Sequence, residues 1–330
     1  MFDLIIIGGG PTGINCAIEA SKRGLNYLVI EKGVLVNSLY NFPINMTFFS
    51  TAGKLEIADI PFIAHGDKPT RREALEYYRR LCEAFDLQIN TYETVESMRA
   101  TDEGIYEIKT NKQTYLTHSV VAATGFYDTP RELNVPGEKM PKVKHFYDDA
   151  HPYVGKKILV VGAANSACDV ALETYYKGAE VTMAIRGSEI YPKVKYWIRP
   201  NIENRIKEGS IQAHFNTRVK SIEQNTVTLE TPDGLLTIEN DFVLAMTGYK
   251  PDYPLLKSLK LPFSADEKQI PLHDAETLET PLSNVYVAGV LAAGLLTSKL
   301  FIENTRHHGA IITENVKNRI GNKRTKYVHS

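Results

Sequence analysis

Two glycine-rich turns, each followed at the end of the next apolar run by a charged side chain, are the stretches of this chain whose residue types and spacing could do chemistry. The first, Gly8, Gly10 and Gly13 around Pro11 and Thr12, has G-x-G-x-x-G spacing, and the run Tyr27-Leu-Val-Ile30 ends in Glu31. The second is Gly162, Ala163, Ala164, Asn165, Ser166 and Ala167, and the run Val181 to Ile185 ends in Arg186. In such turns the first glycine permits a tight strand-to-helix reversal, the second lets backbone approach a pyrophosphate, and the third lets the helix pack on the strand. The phosphates then face unpaired N–H groups at the helix N-terminus. A carboxylate at Glu31 suits both free hydroxyls of an adenosine ribose and repels a 2′-phosphate, so the first turn reads as a site for FAD or NAD. The guanidinium of Arg186 suits a 2′-phosphate, so the second reads as a site for NADP. Ala167 is an ordinary third-position residue, whereas Ala164 slightly restricts the approach to phosphate. Lys193, Lys195 and Arg199 either add charge around that phosphate or belong to a solvated basic loop.

These turns require strand–turn–helix units, and the surrounding sequence supplies them twice. Leu4 to Ile7 reads as a strand buried on both faces, with a helix beginning at Pro11; Lys157 to Val161 and a helix through Lys177 repeat the pattern. The expected fold class is α/β, with two Rossmann-like, three-layer dinucleotide-binding domains. After Glu31 and Lys32 comes a long connection rich in aromatic, hydroxyl and amide groups, and so long a loop in a compact domain is usually functional. Asn41, Thr47, Phe48, Phe49 and Ser50 are its candidate cofactor-lining residues. Arg71 to Phe85 reads as an amphipathic helix. Gln88–Val95, Ile105–Ile108 and Thr114–His118 alternate as strands of a small antiparallel layer, and Ser119 to Gly125 returns to the main sheet. Its Thr124-Gly125 ending is mirrored by Thr247-Gly248, marking where one domain hands over to the other. Val285 to Gly294, with Gly289 and Val290, leads into a helix expected from about Thr297 to Arg319, whose N-terminus would face a flavin, with Lys299 read as a solvated lysine of its first turn.

The composition is that of an ordinary globular protein: 330 residues, 43% hydrophobic and 23% charged, with a formal net charge of -1. No global field recruits nucleic acid or an anionic membrane. No apolar run approaches the ~20 residues of a membrane span, and the chain opens directly on its first strand, so a cytoplasmic location is expected. Cys16, Cys82 and Cys168 lie far apart and form no C-x-x-C pair, which indicates neither a disulfide framework nor a metal site. Cys16 and Cys168 read as small buried residues packing helix on sheet.

With these elements in place, the chain resembles flavoproteins of the thioredoxin reductase type, and most of all the bacillithiol disulfide reductase (YpdA-like) family. The segments carrying the resemblance are IIIGGGPTG (5–13), NFPINMTFFS (41–50), DIPFIAHGDKP (59–69), KVKHFYDDAHPY (142–153), NSACDVALE (165–173), AMTGYKPDY (245–253), VYVAGVLAAG (285–294) and FIEN (301–304). The resemblance implies a homo-oligomeric enzyme whose FAD domain is built from residues 1–125 and 249–330, with an NADPH domain, 126–248, inserted. It implies hydride transfer from NADPH to FAD and onward passage of electrons to an acceptor, a small-molecule disulfide or a small redox protein. Gly8, Gly10, Pro11, Thr12, Gly13, Glu31, Lys32, Asn41, Thr47, Phe48, Ser50, Thr124, Gly125, Gly289 and Val290 would contact FAD; Gly162 to Ala167, Arg186 and Gly248 would contact NADPH. Two positions depart from the pattern: Thr12 stands where family members place a cysteine beside the flavin, and Val290 where many related flavoproteins place an aspartate on the ribityl chain.

Three other readings share these motifs. A ferredoxin or flavodoxin NADP reductase also lacks C-x-x-C, and Tyr40, Phe48, Tyr327 or His329 would then stack on the flavin. A flavin monooxygenase is suggested faintly by Phe146 to His151. A non-catalytic sensor would bind both dinucleotides and report the NADPH pool to a partner.

Overall fold

The computed structural model describes residues 1–328, with side chains through residue 321. The side chain of Tyr327 and all of His329 lie outside the described residues. The chain divides into two compact units: one comprises Met1–Asn41, Met46–Thr129 and the chain from Tyr249 onward, the other Phe42–Asn45 and Pro130–Gly248.

In the first unit a parallel sheet runs in the order Ile89–Asn90, Tyr27–Ile30, Phe2–Ile7, Thr114–Ala122, with Val285–Val287 on the far side of the last strand. Successive strand residues face opposite sides, and both sides of the first strand are covered. Leu4 and Ile6 pack on Cys16, Ala17 and Ala20 of the helix Pro11–Lys22 and on Ile312 and Val316 of the helix His308–Val328. Ile5 and Ile7 pack with Met98, Ile108 and Val120, so an antiparallel layer forms the third tier. That layer is continuous with the main sheet. Thr114–Ala122 is one nine-residue strand, where two were expected; its N-terminal half pairs antiparallel with Tyr106–Thr110 and its C-terminal half parallel with Phe2–Ile7.

Other boundaries also differ from expectation. Between Gln88 and Thr94 only Ile89–Asn90 is strand, because Tyr92 turns the chain with φ +52°; Val95 opens the outer strand, Val95–Ala100, whose polar pattern hides it in the sequence. Arg71–Ala84 is helical as its periodicity indicates, started by a capping box in which the Thr70 side chain accepts the Glu73 N–H and the Glu73 carboxylate accepts the Thr70 N–H. The helix expected from Thr297 instead comes as a short turn, Ile302–Thr305, and then His308–Val328. The Asn304 side chain accepts the Phe301 N–H at 2.7 Å and caps the short piece, leaving Lys299 exposed on an irregular segment.

The second unit repeats the grammar with a sheet ordered Gln212–His214, Glu180–Ala184, Lys157–Val161, Phe242–Ala245, Val143–Lys144, all parallel. Val160 and Ile158 pack on Cys168, Ala171 and Leu172 of the helix Asn165–Tyr176. Leu159 and Val243 pack on Val219, Val227 and Leu229 of the antiparallel strands Arg218–Ile222, Thr226–Thr231 and Gly234–Glu239. Among the described residues no helix is long and apolar enough to cross a membrane.

Candidate functional site

In the first unit the glycines meet their tasks literally. A Cβ on Gly8 would lie 2.4 Å from the Ala123 carbonyl oxygen, just before Thr124 and Gly125, and one on Gly13 would lie 1.9 Å from the Gly8 oxygen. Gly10 differs: a Cβ there would meet no protein atom within 4 Å, so the protein's own packing does not require glycine at this position. Gly10 caps the helix with no side-chain hydrogen bond, and Pro11 occupies its first turn. The first N–H groups of a twelve-residue helix therefore point out from a turn that keeps its middle position small, which is the arrangement a pyrophosphate requires.

Glu31 is buried, and its carboxylate accepts the Gly9 N–H at 2.7 Å and the Gly33 N–H at 2.8 Å. Burial pushes its pKa up and the two N–H bonds oppose that shift. A carboxylate has about four acceptor directions, so the two bonds fix its orientation and leave acceptor capacity for ribose hydroxyls. Lys32 is engaged in an ion pair with Asp128 at 2.9 Å. The chain is then bent back onto the turn by Val36, whose N–H bonds the Gly9 oxygen at 3.1 Å with φ +50°, a strained conformation for a β-branched residue that had no sequence signal.

The remaining residues proposed for FAD are spread along the loop and the C-terminal segment. Asn41 donates to the Asn37 carbonyl at 2.9 Å, Thr47 bridges Thr70, the Phe48 N–H bonds the Pro69 oxygen, and the Ser50 hydroxyl bonds Glu303 at 2.6 Å. Val290 is half-buried in the turn Gly289–Ala293. Gly289, at φ +69°, lies against Thr12: a Cβ there would be 2.7 Å from the Thr12 hydroxyl oxygen, which is also 3.5 Å from the Thr305 hydroxyl.

His308, which the sequence reading missed, holds this corner together. Its Nδ1 accepts the Gly289 N–H at 3.2 Å, and burial, aided by His307 and His273, lowers its pKa to about 4. The buried ring is neutral at pH 7, whereas in the unfolded chain it titrates near 6.5. The associated stability is fully present above the unfolded value and is lost as pH falls through about 6.5 to about 4, on the order of 3 kcal/mol in all. His308→Gln, which keeps an acceptor for Gly289 but cannot titrate, is expected to flatten that part of the pH–stability curve, read by chemical denaturation at pH 7, 6, 5 and 4. The His307-His308 pair at the head of a helix was the available sequence signal.

The second unit's turn is built alike. Gly162 has φ +132°, and a Cβ on it would lie 2.6 Å from the Met246 oxygen and 3.2 Å from the Ala167 side chain. Ala164 caps the helix without a side-chain bond and is exposed, as is Ser166. The Ala163 oxygen accepts the Tyr191 N–H, and the Asn165 side chain accepts the Lys195 N–H at 2.8 Å, so the following loop is tied to the turn. Gly248 has φ +86°. Arg186 is exposed two residues beyond the end of Glu180–Ala184, after the buried Ile185. The other cations are differently engaged: Lys195 is buried and paired with Asp169 at 2.8 Å, and Arg199 bonds Glu203 at 2.7 Å, while Lys193 is exposed. Lys195 is thus a structural ion pair, because Asp169 lies one turn along the helix from Asn165.

None of the three cysteines offers a reactive thiol. Cys16 and Cys168 are fully buried and Cys82 is half-buried, and burial is the main cause raising each pKa to about 12.

A family profile described as pyridine nucleotide-disulphide oxidoreductase matches residues 5–289. Bacilliredoxin reductase Bdr of Bacillus subtilis (strain 168) is 42% identical over 316 residues, covering 96% of this chain and 97% of the relative. Among solved structures, bacillithiol disulfide reductase Bdr (YpdA) from Staphylococcus aureus superposes with a TM-score of 0.93 at 41% identity, covering 96% of this chain and 98% of the other. The thioredoxin reductase of T. acidophilum, with a TM-score of 0.75, 20% identity and coverage of 96% and 98%, shares the fold.

Proposed function

Because the chain belongs to the pyridine nucleotide-disulphide oxidoreductase family, and within it to the bacillithiol disulfide reductase (YpdA-like) group of FAD- and NADPH-dependent oxidoreductases, we propose that it reduces a small-molecule disulfide without using a thiol of its own. The net reaction is NADPH + H⁺ + RSSR → NADP⁺ + 2 RSH. The disulfide class rests on the full-length similarity to relatives named for that activity. The observation that carries the thiol-free route is the burial of Cys16 and Cys168 and the half-burial of Cys82: with each pKa pushed up to about 12, the thiolate is about one part in 10⁵ at pH 7, far below what thiol exchange needs.

Bound FAD supplies the two-electron relay between nicotinamide and acceptor. The chain's own residues bind and orient. The bare N-terminus after Gly10 and the Glu31 carboxylate would hold the adenosine diphosphate half of FAD, with Gly8, Pro11, Thr12, Gly13, Asn41, Thr47, Phe48, Ser50, Thr124, Gly125, Gly289 and Val290 around the remainder. Gly162 to Ala167, Gly248 and Arg186 would hold NADPH, with Arg186 on the 2′-phosphate. Thr12 puts a hydroxyl, which cannot form a mixed disulfide, at the head of the first helix. We read the enzyme as cytoplasmic and homo-oligomeric, on the strength of its resemblance to this group.

The thiol-free route is tested with Cys16→Ala, Cys82→Ala and Cys168→Ala, singly and combined. NADPH oxidation driven by bacillithiol disulfide is expected to stay within about two-fold of the parent in every flavin-loaded variant. A loss of about 100-fold or more in one variant that retains flavin would assign that cysteine as the nucleophile and contradict the reading. The same thiol burial also favours a small redox protein as acceptor, and turnover with ferredoxin or flavodoxin but not with disulfide would select it.

A further inference from the structure

Tyr92 is an aromatic residue in a place where packing has no use for it. The residue is 64% exposed and its backbone has φ +52°, the left-handed region that favours glycine or asparagine. The conformation is imposed from both sides. The Tyr92 N–H bonds the Gly33 oxygen at 3.0 Å, and the next residue's N–H, that of Glu93, bonds the Glu31 oxygen at 3.0 Å. Glu93 is itself 1% exposed and fully engaged: its carboxylate accepts the Thr110 hydroxyl at 2.7 Å, the Tyr115 hydroxyl at 2.8 Å and the Asn90 amide at 2.9 Å. A buried polar network so completely satisfied fixes the turn in one geometry. The turn is hydrogen-bonded to the backbone of the residues whose carboxylate and N–H groups form the ribose site, Glu31 and Gly33.

Strain held in place by its surroundings, together with an unpacked aromatic ring, points to a ligand. We propose that Tyr92 is an adenine-stacking residue of the first dinucleotide site, supplying a face for the base while Glu31 takes the ribose. This deepens the functional reading and rests on it, because the ligand is the adenosine end of FAD. Base-on-aromatic stacking is sequence-tolerant and needs only an exposed ring of fixed position. Any residue that accepts a left-handed φ would satisfy the backbone, so the ring is the part left for function to explain.

The test separates backbone from ring. Tyr92→Asn and Tyr92→Gly suit the left-handed conformation and remove the ring, whereas Tyr92→Phe and Tyr92→Trp keep a ring. The readouts are release of FAD from diluted holoprotein, followed by the rise in flavin fluorescence, ADP binding to the deflavinated protein, and thermal unfolding of that protein. The Asn and Gly variants are expected to unfold no more easily than the parent, yet to hold FAD and ADP about ten-fold more weakly. Phe and Trp are expected to stay within about two-fold of the parent. Unchanged FAD and ADP affinity in the Asn and Gly variants would overturn the stack while leaving the functional reading standing. A parent that binds neither FAD nor ADP would overturn both.

Discussion

Gly13→Ala is expected to yield a protein that holds no flavin and unfolds several kcal/mol more easily than the parent. The added methyl would sit 1.9 Å from the Gly8 oxygen and 3.0 Å from its carbonyl carbon. Gly8 cannot retreat, because its own α-carbon faces the Ala123 carbonyl with room for no substituent. The clash must be met by displacing the helix Pro11–Lys22 from Leu4 and Ile6, the contacts that build this side of the core. Overpacking of this kind, with loss of buried contact, belongs to the class of substitutions that cost more than about 3–4 kcal/mol. Gly10→Ala is the matched control, since its methyl would meet no protein atom within 4 Å. That variant is expected to unfold within about 1 kcal/mol of the parent and to be purified with little flavin. Thermal unfolding and the flavin's visible absorbance measure both effects. A yellow Gly10→Ala protein with parental affinity would remove the second glycine from the cofactor site.

Arg186→Ala is expected to weaken NADPH binding by ~1.5–3 kcal/mol, the range for losing hydrogen bonds to a charged partner, and to leave NADH nearly unchanged. The guanidinium is exposed at the end of Glu180–Ala184, and it is paired with no carboxylate among the described residues, so its removal costs the fold little. Of the neighbouring cations, Lys195 is held by Asp169 and Arg199 by Glu203. The discriminating quantity is the ratio of the NADPH dissociation constant to the NADH dissociation constant, which should rise by about ten- to a hundred-fold. Equal losses for the two nucleotides would remove Arg186 from the 2′-phosphate.

What was legible in the sequence is what is decided locally. Gly13 is required by a backbone approach within its own turn, Gly8 and Gly162 carry the left-handed φ of strand-to-helix turns, and the apolar runs Leu4–Ile7 and Ile158–Val160 are buried on both faces. Glu31 and Arg186 follow from their place at the ends of strands. What was not legible depends on residues far apart in the chain. Thr12 meets Thr305, Gly289 bonds His308, and Tyr106 bonds the Ser283 carbonyl, and none of these pairs leaves a periodic trace. By composition the basic run around Lys195 reads equally as a phosphate site or a solvated loop, and one carboxylate contact from the neighbouring helix gives Lys195 a structural role that neither reading held. Val36 and Tyr92 adopt left-handed conformations that their residue types disfavour, so no propensity argument could have found them; surrounding hydrogen bonds impose both. The break between Ile302–Thr305 and His308–Val328 was hidden for a related reason, since Asn304 and Thr305 act through backbone caps and not through apolar spacing.

The most direct test of the account is an anaerobic titration of the purified protein, first with NADPH and then, on a fresh sample, with NADH, following the visible band of the flavin. The protein is expected to be yellow, with a band that one equivalent of NADPH bleaches, whereas NADH requires a large excess, and a colour that returns when bacillithiol disulfide is added. A colourless protein, or a flavin that neither nucleotide bleaches, would contradict the assignment of the two glycine turns to an electron path.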